Sequence, residues 1–588
     1  MNSKILSMAL VIVMMMSILA PVSASFSGES ESVASSTSGV GRTVGLGAVS
    51  SGFEYTSNDT AVTITGYDGS GGNVVIPNTI GGKPVEVIGD YAFYGFEGKP
   101  TEKSALITSI TMPDSVINIG KYAFRGCTAL ASIELSNRII HVGEYAFYGC
   151  TALNSIEIPD SVKSIGSSAF YGCTALTSVA LPNSITNLDS GMFSGCTALT
   201  SVSMPNSVTN IDNYAFYNCS ALISIVIPDS VKSVGNYAFS GCTALTSIEI
   251  PDNVKSVGNY VFYGCTALAS ATISDAVDFL GASAFQGCTA LESVTIPNSV
   301  TNVGSQAFYG CSALTTIEIP GGVTTIGPQA FASCTALTAI NVDENNANYA
   351  SVDGILYNKA KNTLIQCPGG MVGSFTVPEY VNTIGDSAFA GCTVLTSVII
   401  LGNVKSIDSN AFYDCTALTS VEIGSGVISI GNYAFQGCTA LTSIEISDSI
   451  TSIKSGVFSG CTALTSVIMG SKVRSIGSNA FEGCIALTSA PIGSGVTSIE
   501  ESAFQGCTGI TSVSIPKNVI NIGTSAFEGC IALTAINVDE GNVVYASRDG
   551  VLYDKYITIL MQWPGGKAGS FVCLLYTSPS PRDRQKSR

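Results

Sequence analysis

The sequence predicts a mainly β repeat solenoid of 23-residue units, each supplying one or two short strands plus a short helical turn. Three observations predict it. Cysteine recurs every 23 residues from Cys127 to Cys334 and again from Cys392 to Cys530, 17 times in all. A phenylalanine stands three residues before each of these cysteines, from Phe124 to Phe527. The chain, at 588 residues, is too long for one hydrophobic core, and self-similarity at a fixed period is the signature of stacked repeats.

Taken in chain order, residues 1–24 read as a signal peptide: Lys4, an apolar run Ile5–Ala20, then small residues up to Ala24. The run is short for a membrane span, and no cysteine follows the cut to carry a lipid. Residues 25–50, rich in Ser, Gly and Val without pattern, read as a flexible linker. Residues 51–96 read as an N-terminal cap and first repeat. Tyr91–Phe96 is an early unit with Phe96 where later units carry cysteine, which makes 18 units.

The repeat region runs over residues 97–571, and the stretch Cys150–Gly172 shows how one rung is built. Leu153, Ile156 and Ile158 follow L-x-x-I-x-I, a strand with alternate side chains turned inward. Pro159 closes that strand because it has no N–H for a further ladder bond. Val162 and Ile165 mark a second extended piece ending at Gly166, and Ala169-Phe170 with Gly172-Cys173 suit a single helical or tight turn back to the next rung. One such unit buries too little apolar surface to offset the entropy of ordering it, so stability must come from stacking on two neighbours.

The 23-residue spacing breaks between Cys334 and Cys392, where 58 residues intervene. Inserts near 340–376 and 536–571 repeat each other at a distance of 196 residues. In the first, Gly354–Tyr357 and Leu364-Ile365, joined by Asn358 to Asn362, read as a hairpin in a protruding or broadened rung. Residues 572–588 abandon the pattern in mid-unit, are basic, and read as a non-native tail, translated adapter or vector sequence, with the natural C-terminus and any cap or wall anchor lost.

The A-F-x-G-C-x-x-L-x-x-I-x-I-P-x-x-V-x-x-I-G pattern resembles the BspA-type leucine-rich repeats of surface proteins. Ala238 to Cys242, followed by Leu245, Ile248, Ile250, Pro251, Val254 and Gly258, carries the resemblance, which extends over about residues 52 to 571. Phe53-Glu54-Tyr55, Val62–Tyr67 and Val74–Pro77 are similar to that family's N-terminal cap. The resemblance implies a leucine-rich-repeat solenoid acting as an adhesin or host-protein binder.

Composition narrows the partners. A net charge of -17 repels nucleic-acid phosphates and anionic membrane surfaces, and beyond the N-terminus no apolar run is long enough to span a bilayer. The single histidine, His141, takes a position held elsewhere by Lys163, Thr209 or Lys232 and reads as a solvated substitution without partners for a metal site or a catalytic triad. Asp343-Glu344-Asn345-Asn346 reads as a turn, since its copy Asp539-Glu540-Gly541-Asn542 lacks calcium-loop spacing. Gly66 to Gly72 ends in no Gly-Lys-Ser/Thr and supports no phosphate loop. No catalytic constellation, cofactor or metal site is expected. The ladder cysteines read as stacked buried thiols, because side chains pointing the same way in an in-register stack cannot be bridged without distorting it. Cys367, replaced by Trp563 in the second insert, reads as apolar filling.

The candidate ligand-facing column lies between the two inward Ile positions of the first strand. It holds Glu134, Glu157, Glu249, Glu318, Glu422 and Glu445, with Val226, Ile399, Ile468 and Pro491 interrupting it. A row of serines, Ser155, Ser178, Ser201, Ser224 and Ser247, runs two residues before it. A weakly acidic sheet face with few aromatics favours protein contact over sugar stacking. The expected function is adhesion or protein–protein binding by an exported, secreted or cell-surface protein, with host or neighbouring-cell surface and extracellular-matrix proteins as partners. The alternative is a passive stalk displaying a domain missing from this chain.

Overall fold

A computed structural model describes residues 52–94 and 104–568. The signal peptide, the linker, Phe96 and the 572–588 tail lie outside the described residues.

Most rungs place two short strands in two parallel sheets. The first sheet takes the Ser-Ile-Glu stretch of each unit, as in Ser132–Glu134 and Ser155–Ile156, which pair with Ser132 opposite Ser155. The second sheet takes the Ser-Ile stretch before the glycine, as in His141–Val142 and Ser164–Ile165. Partners stand 23 residues apart through most of both sheets, so like residues face like residues: Asn187 opposite Asn210, Val234 opposite Val257, Ser443 opposite Ser466. The sequence period is therefore the ladder register.

A hairpin, Phe53–Ser57 with Val62–Tyr67, forms the N-terminal end of the second sheet, and its second strand pairs parallel with Lys83–Ile88. This pairing occupies the polar edge that a parallel sheet would otherwise leave open.

Of the helical or tight turn expected here, the structure has the tight-turn form. The Ala-Phe-x-Gly-Cys segment is a run of consecutive turns. Two residues per rung are left-handed, for instance Tyr122 at φ 56° and Gly126 at φ 69°, and a right-handed helix cannot pass through them. Their N–H groups, and that of Phe124 between them, instead bond to Glu144, Tyr148 and Ala146 carbonyls of the next rung at 2.7–2.9 Å. The turn side is thus a third inter-rung ladder. Its Gly column admits only Asn218, Ser333 and Asp414 as alternatives at positive φ. These are small polar residues, and the ones for which that region costs least include Asn and Asp.

The core is a set of columns along the stack. The Phe column stacks from Phe93 to Phe331 with ring centres 4.9–5.7 Å apart, and from Phe389 to Phe527 at 4.7–5.6 Å. Leu, Ile, Val, Ala and Cys columns fill the space around it.

The first insert divides this core into two clusters, one running from Phe53 to Ile340 with Leu356, the other from Ile355 to Leu552. It has one strand more than the expected hairpin. Tyr349–Val352, Ile355–Asn358 and Thr363–Gln366 form an antiparallel meander, and the last strand pairs parallel with Thr383–Ile384, so the insert joins the second sheet as a rung. The second insert repeats the meander with Tyr545–Arg548, Val551–Asp554 and Leu560–Gln562.

Candidate functional site

The outward face of the first sheet follows from strand geometry. In Ser-Ile-Glu the isoleucine is buried and its neighbours are exposed, because successive side chains point to opposite faces. Glu134, Glu157, Glu249, Glu318, Glu422 and Glu445 all lie on the solvent side. The register sets which of them are neighbours. Glu134 and Glu157 occupy adjacent rungs, as do Glu422 and Glu445. Glu249 and Glu318 stand in separate rungs opposite Thr272 and Asn341.

The column is not continuous. The rung carrying Ser224 has no strand at this position. Pro491 reduces its rung to an isolated bridge between Ser489 and Ser512, as loss of an N–H requires. Val226, 80% exposed, and Ile468, 63% exposed, add apolar spots to the acidic and hydroxyl surface.

Around Glu318 this surface is indented. A notch of about 520 Å³ is bounded by Asp275, Thr295, Pro297, Asn298, Glu318 and Asp343 among others.

Hydroxyl ladders edge the first sheet. Thr177, Thr200, Thr419 and Thr442 each donate to the carbonyl 23 residues earlier at 2.9–3.4 Å. A second ladder runs through Thr151, Thr174 and Thr197 at 3.2–3.4 Å. Small hydroxyl residues therefore satisfy the stack itself as well as facing solvent.

The remaining sequence candidates are structural. His141 is exposed and shares a 2.7 Å hydrogen bond with the Ser164 hydroxyl of the next rung. The Asp343 carboxylate accepts the Asn345 N–H at 2.8 Å, closing a turn. Buried Asn346 clamps that turn: its amide donates to the Pro320 and Val323 carbonyls, and its oxygen accepts the Asn348 and Tyr349 N–H groups. Among the described residues no group of three or more His, Cys, Asp or Glu side chains is placed to hold a metal ion.

The ladder thiols are buried, and from Cys150 to Cys334 and Cys415 to Cys530 each donates to the carbonyl of the Phe 26 residues earlier, as Cys150 does to Phe124 at 3.1 Å. Burial pushes Cys196, Cys265, Cys334 and Cys484 up to about 12, which keeps them protonated and unreactive at neutral pH.

One surface escaped the sequence reading. On the turn side, tyrosines at the left-handed position before Ala-Phe stack rung upon rung. Tyr91, Tyr122 and Tyr145 lie 4.8 Å apart with planes within 12°, and Tyr214, Tyr237 and Tyr260 lie 4.6–4.9 Å apart within 5°. A second column follows Phe, where Tyr148 and Tyr171 stack at 4.8 Å. The Arg125 guanidinium sits 4.9–5.3 Å from the ring centres of Tyr94, Tyr122 and Tyr148. Partial burial, then the neighbouring tyrosines, pushes the Tyr122 and Tyr237 hydroxyls upward. A left-handed L-residue costs about 1–2 kcal/mol, and an offset ring pair contributes about 0.5–1.5 kcal/mol beyond its burial, so the two nearly cancel. The signal was available as Tyr recurring at a fixed offset from Phe, yet only the stack turns it into one surface.

A family description, BspA type leucine rich repeat region (6 copies), matches residues 86–223, 210–338, 371–487 and 428–548. No curated protein matches the chain. Among solved structures, the chain is similar to a leucine-rich repeat protein from Bacteroides ovatus ATCC 8483, with 24% identity over 84% of this chain and 95% of that one and a TM-score of 0.42. It is also similar to one from Eubacterium ventriosum ATCC 27560, with 22% identity over 86% and 98% and a TM-score of 0.46. A leucine rich cell surface protein from Faecalibacterium prausnitzii A2-165 matches with 27% identity over 84% and 94% and a TM-score of 0.30.

Proposed function

Because the chain belongs to the family of BspA-type leucine-rich-repeat proteins, we propose that it is an exported binding scaffold, secreted or held at the cell surface, whose first-sheet face engages proteins of a host or neighbouring cell and its matrix. The observation that carries this reading is the exposed face itself, on which parallel strands in 23-residue register repeat the same outward positions along the stack. Repetition of weak contacts yields avidity without any single deep pocket. Carboxylates with interspersed apolar spots suit a protein partner carrying basic side chains. The leader-like residues 1–24 support export. No helix of the described residues is long and apolar enough to cross a membrane.

A binding screen against immobilised matrix and plasma proteins, repeated at rising ionic strength, tests the proposal. Saturable binding that weakens with salt, and weakens again in Glu422→Gln/Glu445→Gln, is the expected result. Absence of binding across the panel would favour a passive stalk.

A further inference from the structure

We infer that the first insert holds a binding site for a soft monovalent metal ion, Cu(I), formed by the sulfurs of Cys367, Met371 and Cys392. Cys367 and Met371 flank the turn Pro368-Gly369-Gly370, which the Met371 N–H closes on the Pro368 carbonyl at 3.1 Å. The turn brings the Cys367 Sγ to 3.4 Å from the Met371 Sδ. Cys392, from the turn segment of the next unit, aims its thiol at the same place, 3.7 Å from the Pro368 carbonyl against 3.8 Å for Cys367. The two thiols also hydrogen-bond to each other. The backbone needs none of these sulfurs. In the second insert Trp563-Pro564-Gly565-Gly566-Lys567 makes the same turn, with the Lys567 N–H on the Pro564 carbonyl at 3.1 Å. The Gly566 N–H bonds to Leu533 at 2.8 Å, as that of Gly370 does to Leu337. Nor does the Phe carbonyl bond of the ladder hold Cys392. Thiols from Cys150 to Cys334 and from Cys415 to Cys530 donate to that carbonyl at 3.0–3.3 Å. Residue 366, 26 before Cys392, is a glutamine, and the Cys392 thiol reaches instead the Pro368 and Cys367 carbonyls at 3.7 and 4.0 Å.

Donor type selects the ion. Thiolate and thioether are soft ligands of the kind that select Cu(I). A thioether can coordinate but cannot enter a disulfide, so three converging sulfurs favour a metal over a simple bridge. Zinc in structural sites takes four ligands, and here three sulfurs converge. Charge points the same way. Cys367 and Cys392 are fully buried, and burial, then the bond to Cys392, pushes the Cys367 thiol well above its ordinary ionisation. A bound cation removes that obstacle by replacing the proton, since a coordinating thiol is deprotonated outright. Cu(I) displaces one proton from Cys367, forming a sulfur–copper bond and releasing H⁺ to solvent, which leaves the apolar site without net charge. The Cys392 and Met371 sulfurs then add lone pairs as neutral ligands. Two sulfurs about 2.3 Å from one ion in a trigonal arrangement lie about 4 Å apart, so the 3.4 Å pair has to open slightly. Met371, unbranched and only partly buried against the core, is the member free to move and the way in from solvent.

The test is an anaerobic titration of the reduced full chain with Cu(I), in competition with the chromogenic chelator bicinchoninate. The expected result is one copper retained per chain, with X-ray absorption at the copper edge showing sulfur neighbours only. Cys367→Ser should weaken retention about 100-fold. Met371→Leu, which keeps the apolar volume, should weaken it about tenfold with the melting temperature of the copper-free protein unchanged. Cys242→Ala, in the regular ladder, should leave the copper count and affinity as they are. No retained copper, several coppers spread along the ladder thiols, indifference to both Cys367→Ser and Met371→Leu, or retention of zinc in preference to Cu(I) would overturn the inference.

Discussion

The buried carbonyl of Phe124 accepts the N–H of Cys127 and keeps a second lone pair in an apolar interior. The Cys150 thiol of the next rung fills that need at 3.1 Å while packing as a small apolar group. The same pairing recurs at Cys242 with Phe216 at 3.2 Å. Cys242→Ala should therefore cost about 1–3 kcal/mol in chemical denaturation, through a cavity and an unmet acceptor. Burial of the column also sets a pH dependence. Thiols held near 12 when folded ionise from near 9.0 when unfolded, so above pH 9 the unfolded chain binds fewer protons. Their stabilisation is complete below pH 9 and is lost as pH rises toward 12, which a melting series from pH 7 to 12 would register as a steep alkaline fall. Burial of these thiols was legible from their period alone. The bond to the preceding rung's Phe was not, because it depends on how two turns overlap.

Strands, inserts and turns differ in how far sequence discloses them. Alternation places Ile156 inward and Glu157 outward without any coordinates, since strand period is fixed at two. The turn segment left two forms open because Ala169-Phe170 with Gly172-Cys173 has no local feature that distinguishes one helical turn from successive turns. Left-handed Ser168 and Gly172, and N–H groups claimed by the next rung, decide it. The hairpin of the first insert was readable from Ile355–Asn358 and Thr363–Gln366, but Tyr349–Val352 was missed because its Tyr-Ala-Ser-Val stretch is short and only partly buried. Asn346 locks that insert through four hydrogen bonds from one buried amide. Asn346→Ala should destabilise by about 3 kcal/mol or more, with faster amide exchange over residues 343–358, whereas exposed Asn345→Ala should change stability by less than about 0.5 kcal/mol.

The described residues are organised by nearest-neighbour stacking, since rungs pair with the rungs before and after them. Removal of residues 219–287, three complete units, should leave a folded, shorter solenoid with unchanged circular dichroism per residue. The candidate face was legible because the outward position repeats every 23 residues, while its breaks at Ser224 and Pro491 and the notch at Glu318 depend on the path of each rung. The measurement that tests the central claim most directly is carboxylate footprinting by mass spectrometry, with and without a matrix protein that binds in the screen. Protection of the column glutamates on binding, Glu422 and Glu445 above all, is the predicted result. Unchanged labelling of the column in the presence of saturating partner would contradict the assignment of the first-sheet face.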